Sequence, residues 1–274
     1  SLGGVGRFFE RFQHGYPAEH VRSLEELRKL DAATIAGVVI EPLIQGVNEM
    51  RPWPAGMLAE LRAWCDETGV HLILDEVMTG FGRTGKMFAC QHENVIPDFL
   101  CVAKGITGGF LPMAATLTTR KVYQAFLGAA ENAFYYGHSY TANPLGCAAA
   151  MASLDVFESQ KTLETLAPRI AHLRAGLAEL KQRNPFVHEV RQCGFVAGIE
   201  LRRPGGAKFP AESRTGEAIC LAARNHGLLT RPILDTLVLM PPLCTTEVEI
   251  DHALAAIEAA ISAHAGIDTH SASA

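Results

Sequence analysis

Two carboxylates and one lysine occupy the positions where this sequence could do chemistry. Asp75 and Glu76 fall near the end of the apolar run HLILDEV (71–77), and Lys104 closes FLCVAK (99–104). Both runs are short and nearly continuous in apolar residues, the pattern of parallel strands buried on both faces. A carboxylate at such a place is costly unless a cation meets it. Alternation along a strand sends Asp75 and Glu76 to opposite faces, so only one can enter a given crevice. That acid either pairs internally, with Arg83 or Lys104, or holds a protonated ring nitrogen or a metal. A lysine closing an apolar strand is expected to be partly desolvated, which frees its amine to form imines. Gly105, Gly108 and Gly109 beside it let a planar ligand approach the backbone.

The loop between them offers a competing chemistry. Gly80, Gly82 and Gly85 spell G-x-G-x-x-G, and Gly80, Gly85 and Lys86 spell all but the last position of a phosphate loop. Met87 stands where that loop needs a hydroxyl for Mg²⁺, and FACQHENVIPD does not read as a long helix whose N-terminus could receive phosphates. The dinucleotide motif wants a tight strand-to-helix turn, whereas Met78 and Thr79 intervene and Pro97 cuts the next element. The glycines therefore read as a turn. An acid and a lysine at the ends of adjacent strands, opposite a ligand crevice, suit pyridoxal 5′-phosphate (PLP). The lysine attaches the cofactor and shuttles the proton, and the acid keeps the pyridine nitrogen protonated.

The elements that must position these residues follow from periodicity. Ser23 and Glu26 form a capping box for a short helix. Apolar strands are expected at 35–41, 71–77, 99–103 and 114–119. Helices are expected at 54–69, from about Lys121, and from NPLG (143–146) to about Ser159. Strands alternating with helices predict an α/β fold with a mostly parallel sheet covered by helices. Beyond residue 160 the pattern changes to a helix over 163–182, strands at 187–202, a helix over 213–226, strands at 228–243 and a last helix from Glu247 to about Ala263. This is a smaller α+β domain, so the division is placed as 1–160 and 161–274, with a frayed polar tail at 265–274.

The 274 residues carry a net charge of −5 with no basic face, which argues against nucleic acid as a partner. No apolar run reaches the roughly 18–20 residues of a membrane span. The seven cysteines are scattered without a C-x-x-C pair, which predicts reduced thiols in a cytoplasmic protein and no metal site.

EPLIQG (41–46), DEVMTGFGRTG (75–85), PDFLCVAKGITGG (97–109), YGHSYTANPLGCAAA (136–150) and TRPILDTLVLMPPL (230–243) resemble, in order, blocks of the class III PLP-dependent aminotransferases. The resemblance implies fold type I, a homodimer with its site between subunits, and small-molecule substrates: an amino donor and a keto acid acceptor. It assigns Lys104 to cofactor attachment, Asp75 to the pyridinium nitrogen and Val77 to packing under the ring. Ser139 falls where most relatives carry a threonine that reaches the partner subunit's cofactor phosphate, and His138 helps through its main chain. Arg231 matches the arginine that receives a substrate carboxylate, and Gly137 falls in the substrate pocket. Glu41 reads as a supporting residue and Arg83 as an internal ion-pair partner.

Residues 88–119 and 136–150 look most like the biotin-biosynthetic branch, which implies S-adenosylmethionine or lysine as amino donor. Met78, where many relatives carry glutamine, agrees with that branch. An ω-amino acid:pyruvate-type enzyme, a non-catalytic relative and a nucleotide hydrolase remain the alternatives. The family carries a long segment ahead of the point matching Ser1, with the intrasubunit phosphate loop and a ring-stacking aromatic. The chain alone is therefore expected to bind cofactor weakly and turn over little.

Overall fold

The computed structural model describes residues 18–271. They form two compact units. The first takes the chain up to Ile44 and from Trp53 to Leu163; the second takes Gln45–Pro52 and the chain from Glu164 onward.

In the first unit, α1 (Leu24–Leu27) is capped by Ser23, whose hydroxyl accepts from the Glu26 N–H at 3.2 Å. The Glu26 carboxylate turns back to the Arg22 N–H at 2.6 Å, one residue earlier than a capping box predicts. Then follow β1 (Gly37–Ile40), a short hairpin of β2 (Ile44–Gln45) and β3 (Arg51–Pro52) that belongs to the second unit from Gln45 on, and α2 (Met57–Thr68), again in the first. Gly56 and Gly69 flank α2 with left-handed backbone, at φ 83° and 75°. Pro54 precedes the helix rather than opening it. Leu58, Leu61, Trp64 and Cys65 recur at helical spacing and face the core. Both oxygens of Glu93 accept backbone N–H groups at its N-terminus, from Gly56 and Ala59 at 2.9 Å, where negative charge meets the helix dipole.

β4 (His71–Asp75), β5 (Phe99–Val102) and β6 (Ala115–Thr118) complete a sheet in the order β1-β4-β5-β6. β1, β4 and β5 run parallel and β6 antiparallel, so the sheet is mostly parallel as the alternating pattern predicted. Ile40, Leu61, Leu72 and Leu74 are essentially inaccessible at its centre. Two further helices, α3 (Arg120–Ala125) and α4 (Pro144–Ser159), follow the last strand.

In the second unit, α5 (Thr162–Arg183) leads out of the first and packs Leu166, Leu173, Leu177 and Leu180 into a core with Phe195 and Ile199. β7 (Val187–Cys193), β8 (Val196–Leu201), β9 (Pro232–Ile233) and β10 (Thr236–Leu239) form an antiparallel sheet in the order β7-β8-β10-β9. α6 (Thr215–Ala223) precedes β9, and α7 (Glu247–Ser271) ends the described chain. The frayed tail expected over 265–274 is corrected in part: helix continues to Ser271, since no proline interrupts it and its alanines favour the helix.

Candidate functional site

Asp75 is the last residue of β4 and lies opposite Cys101 of β5, three residues before Lys104. Its half-buried carboxylate accepts the Val77 N–H at 3.1 Å and makes no other hydrogen bond or ion pair among the described residues. The internal pairing with Arg83 or Lys104 is therefore not formed. Glu76, one residue on, is fully buried and fully engaged. It accepts from the Ala89 N–H at 2.7 Å, the Cys90 N–H at 2.8 Å and the Thr79 hydroxyl at 3.0 Å. Burial, together with this carboxylate, pushes the Cys90 thiol up to about 12. Two adjacent acids thus differ in kind: Glu76 ties the 77–90 loop to the strand end, and Asp75 keeps an open oxygen.

Lys104 follows β5 and opens a single 3₁₀ turn, Lys104–Thr107. Its φ of 43° lies in the left-handed region, which costs a non-glycine residue about 1–2 kcal/mol. The side chain is exposed, and Nζ makes no hydrogen bond or ion pair among the described residues. This corrects the expected partial desolvation: Gly105, Gly108 and Gly109 have no side chains to cover the amine. Gly105 is glycine for a packing reason, because a Cβ there would lie 2.6 Å from the Phe81 Cβ. Phe81 is itself left-handed, at φ 53°, and buried, so the 80–85 turn forms the floor beneath the lysine's backbone. Arg83 in that turn is pushed down to about 10 by burial.

Lys104 opens into a cleft of about 800 Å³ that also includes Gly109, Met113, His138, Thr141 and Asn143. The His138 N–H donates to Thr141 Oγ1 at 3.1 Å, and His138 Nδ1 accepts the Tyr140 N–H at 3.1 Å. Asn143 caps α4, its side chain accepting the Gly146 N–H at 2.7 Å. Ser139 is exposed beside this cleft in sequence but does not line it, and neither do Gly137, Asp75 and Val77. A Cβ on Gly137 would meet only Thr141 Oγ1, at an ordinary 3.8 Å. The structure thus joins Lys104 and His138 in one cleft and sets Asp75 one strand away. Thr141 and Asn143 escaped the sequence reading, although the Asn-Pro dipeptide at 143–144 marks a helix start.

Arg231 stands in the second unit, immediately before β9, in a cleft of about 660 Å³ floored by Leu201, Phe209 and Cys220. Every acid lining this cleft is engaged. Glu200 pairs with Arg191 and Arg202, Glu49 with Arg51, Glu217 with Arg214, and Asp235 accepts the Gly216 N–H at 2.9 Å. Lys208, Arg224 and Arg231 form no ion pair among the described residues, so the cleft presents spare positive charge over an apolar floor. Glu41 offers its carbonyl to the Trp53 indole N–H at 2.9 Å, a structural contact. Among the described residues no three His, Cys, Asp or Glu side chains gather as metal ligands would. None of the described helices is long and apolar enough to cross a membrane.

The chain belongs to the class III aminotransferases: the model of that family matches residues 9–261. Members of this family are PLP-dependent. The chain is 48% identical over 244 residues to the adenosylmethionine-8-amino-7-oxononanoate aminotransferase of Nitratidesulfovibrio vulgaris, covering 88% of this chain and 45% of that protein. The crystal structure of the enzyme of the same name from Methanocaldococcus jannaschii superposes with a TM-score of 0.81 at 40% identity, over 84% of this chain and 54% of that one. An amine transaminase from an uncultivated Pseudomonas species, in its PLP-bound form, gives a TM-score of 0.80 at 36% identity over 87% and 55% of the two chains. The chain spans about half the length of the curated relatives it matches.

Proposed function

We propose that the protein is a PLP-dependent transaminase that converts 8-amino-7-oxononanoate into 7,8-diaminononanoate in biotin biosynthesis, with S-adenosylmethionine as amino donor. The observation that carries the reading is the pairing of an open carboxylate, Asp75, with an unengaged amine, Lys104, at the C-terminal ends of adjacent parallel strands. Ligands of open α/β sheets bind outside those ends. The names of the similar proteins supply the substrate and the donor.

The residues present fit the cofactor. Asp75 has a free oxygen to hold a proton at a ring nitrogen, Val77 is a half-buried aliphatic in the turn two residues past it, and Lys104 offers a free amine. PLP, when bound, supplies an electron sink for the carbon that carries the transferred amine. Lys104 Nζ is the attachment point and then moves the proton at that carbon. Ser139, helped by the main chain of His138, would reach the phosphate of the cofactor held by the partner subunit. Arg231, in the second unit, receives the substrate carboxylate, its fork geometry suiting that task; Gly137, in the first unit, is assigned to the substrate pocket.

The reading makes residues 1–160 part of the large PLP-binding domain and 161–274 the small domain. It also makes the protein a homodimer. Phe126, Phe134, Tyr135, Tyr136 and Tyr140 are exposed along one segment of the first unit, more aromatic surface than solvent favours. The seven free cysteines suit a cytoplasmic location.

The test is covalent trapping. Borohydride reduction with PLP should label the peptide containing Lys104 and leave Lys104→Ala unlabelled. Labelled protein should then be inactive in forming the diamine from 8-amino-7-oxononanoate and S-adenosylmethionine. Labelling at another lysine, or equal labelling of the variant, would defeat the assignment. The similarity to an amine transaminase favours one second reading, an ω-amino acid:pyruvate-type enzyme. Faster turnover of pyruvate than of 8-amino-7-oxononanoate as acceptor would select it.

A further inference from the structure

Glu49 and Met50 are consecutive non-glycine residues in left-handed conformation, at φ 55° and 54°. Such a backbone is unfavourable for any residue with a side chain, and the strain persists only where the surroundings over-determine it. Both lie in the Gln45–Pro52 excursion into the second unit. Met50 is 3% exposed and packs on β8 at Gly198. A Cβ on Gly198 would lie 2.8 Å from the Met50 Cβ, 3.0 Å from the Thr236 methyl and 3.1 Å from the Glu49 carbonyl oxygen.

Arg191 of β7 closes this clamp from within. Its side chain is 3% exposed. Nε donates to the Glu49 carbonyl at 3.0 Å, Nη2 to the Thr236 hydroxyl at 3.2 Å, and Nη1 to the carboxylates of Glu189 and Glu200. Arg202 holds the other Glu200 oxygen at 2.8 Å, and Arg51 closes on the Glu49 carboxylate at 2.7 Å. Three of the residues that Arg191 touches, Glu49, Glu200 and Thr236, line the same cleft as Arg231. Thr236 pairs with Glu200 on one side and with Ile233 on the other, two residues past Arg231. One buried guanidinium therefore fixes the backbone of the excursion, the strand beside Arg231 and the charge of an acid in that wall.

We infer that Arg191 is a positioning residue, which holds and neutralises the wall of the cleft in which Arg231 receives a ligand carboxylate. The inference rests on the reading of Arg231 given above. Two physical effects carry it. Without the guanidinium, Glu200 would keep only Arg202 and the more distant Arg51 as counter-charges, and with the Glu49 carbonyl dipole it would turn more negative potential toward an incoming carboxylate. The strained turn at 49–50 would also lose the hydrogen bond that holds its carbonyl. Lysine cannot substitute, because a single ammonium cannot span acceptors on three separate strands and turns.

The test is calorimetric titration of nonanoate, a nine-carbon carboxylate, into the wild-type protein and into Arg231→Ala, Arg191→Lys, Thr236→Val and Arg191→Met/Glu200→Gln. Urea midpoints are measured in parallel. Arg231→Ala should abolish binding. Arg191→Lys should weaken it about 10-fold, and Thr236→Val, which removes one acceptor and keeps the shape, should weaken it less. Arg191→Met/Glu200→Gln should bind better than Arg191→Lys, because it removes the exposed charge together with its partner; a purely structural role would not produce that recovery. Should Arg191→Lys fail to fold, Thr236→Val and the double variant decide. Absence of binding by the wild type, or binding that survives Arg231→Ala, overturns the reading of Arg231 and this inference with it. Loss in Arg231→Ala with wild-type affinity in the other variants overturns the inference alone.

Discussion

Gly105 and Phe81 touch where no side chain can come between them: a Cβ on the glycine would lie 2.6 Å from the Phe81 Cβ and 3.0 Å from its ring. The contact joins the turn after β4 to the turn after β5. It places Lys104, the neighbour of Gly105, on a floor that the GFGRTG segment supplies. The glycines that imitate a nucleotide motif thus serve to bring two strand ends close.

Gly105→Ala is expected to cost about 1–3 kcal/mol, the range for overpacking a tight contact. Its urea midpoint should fall, and Phe81→Gly in the same chain, which removes the Cβ that the new methyl meets, should recover part of the loss. A double-mutant cycle reads that coupling directly. Additive effects would mean the two residues do not meet.

The two adjacent acids should separate in stability. Glu76→Gln leaves a buried N–H of Ala89 or Cys90 without its acceptor and should cost about 1–3 kcal/mol. Asp75→Asn loses little, since the carboxylate is bonded only to the Val77 N–H, and should stay within about 0.5 kcal/mol of wild type. Its effect should appear instead as weaker PLP trapping at Lys104. Equal destabilisation by the two variants would contradict the division of roles.

Acid should expose the Arg191 cluster. Burial alone would raise the Glu200 carboxyl, but hydrogen bonds and charge from Arg191 and Arg202 outweigh it and hold it at about 2, against an ordinary 4.5. A folded value below the unfolded one stabilises the protein above pH 4.5, and that stability is lost as pH falls toward 2. Urea midpoints measured from pH 5 to pH 3 should therefore fall more steeply for wild type than for Glu200→Gln. The variant should also be the less stable of the two at pH 7.

Thiol reactivity should follow burial. Burial pushes Cys65, Cys193 and Cys220 up to about 11 and Cys90 to about 12, so their thiolates are scarce at pH 8. Cys244 is exposed. A disulfide-exchange reagent at pH 8 should modify Cys244 first and reach the other four only in denaturant, with peptide mapping to locate each label.

How much of this could be read from the chain depended on how local the cause was. The ends of β4 and β5 were legible because four or five apolar residues stop at a charge, and α2 because its apolar residues repeat at helical spacing between two glycines. The class III family was legible from five blocks in order. The Gln45–Pro52 excursion was not, since it reads as a turn and is held in the second unit by Arg191, more than a hundred residues away. Nor could local sequence distinguish Asp75 from Glu76. That distinction is made by the Ala89 and Cys90 N–H groups, which reach Glu76 only after the loop has folded back. The strand expected at 228–233 forms only over Pro232–Ile233.

Lys104 carries its side chain on a left-handed backbone, where glycine would sit without strain. Lys104→Gly is therefore expected to raise the urea midpoint even as it removes the amine. Fold stability by itself selects against the lysine, so a search for sturdier variants of this protein, run blind to catalysis, would strike position 104 early and return a tougher molecule with nothing left to hold its cofactor.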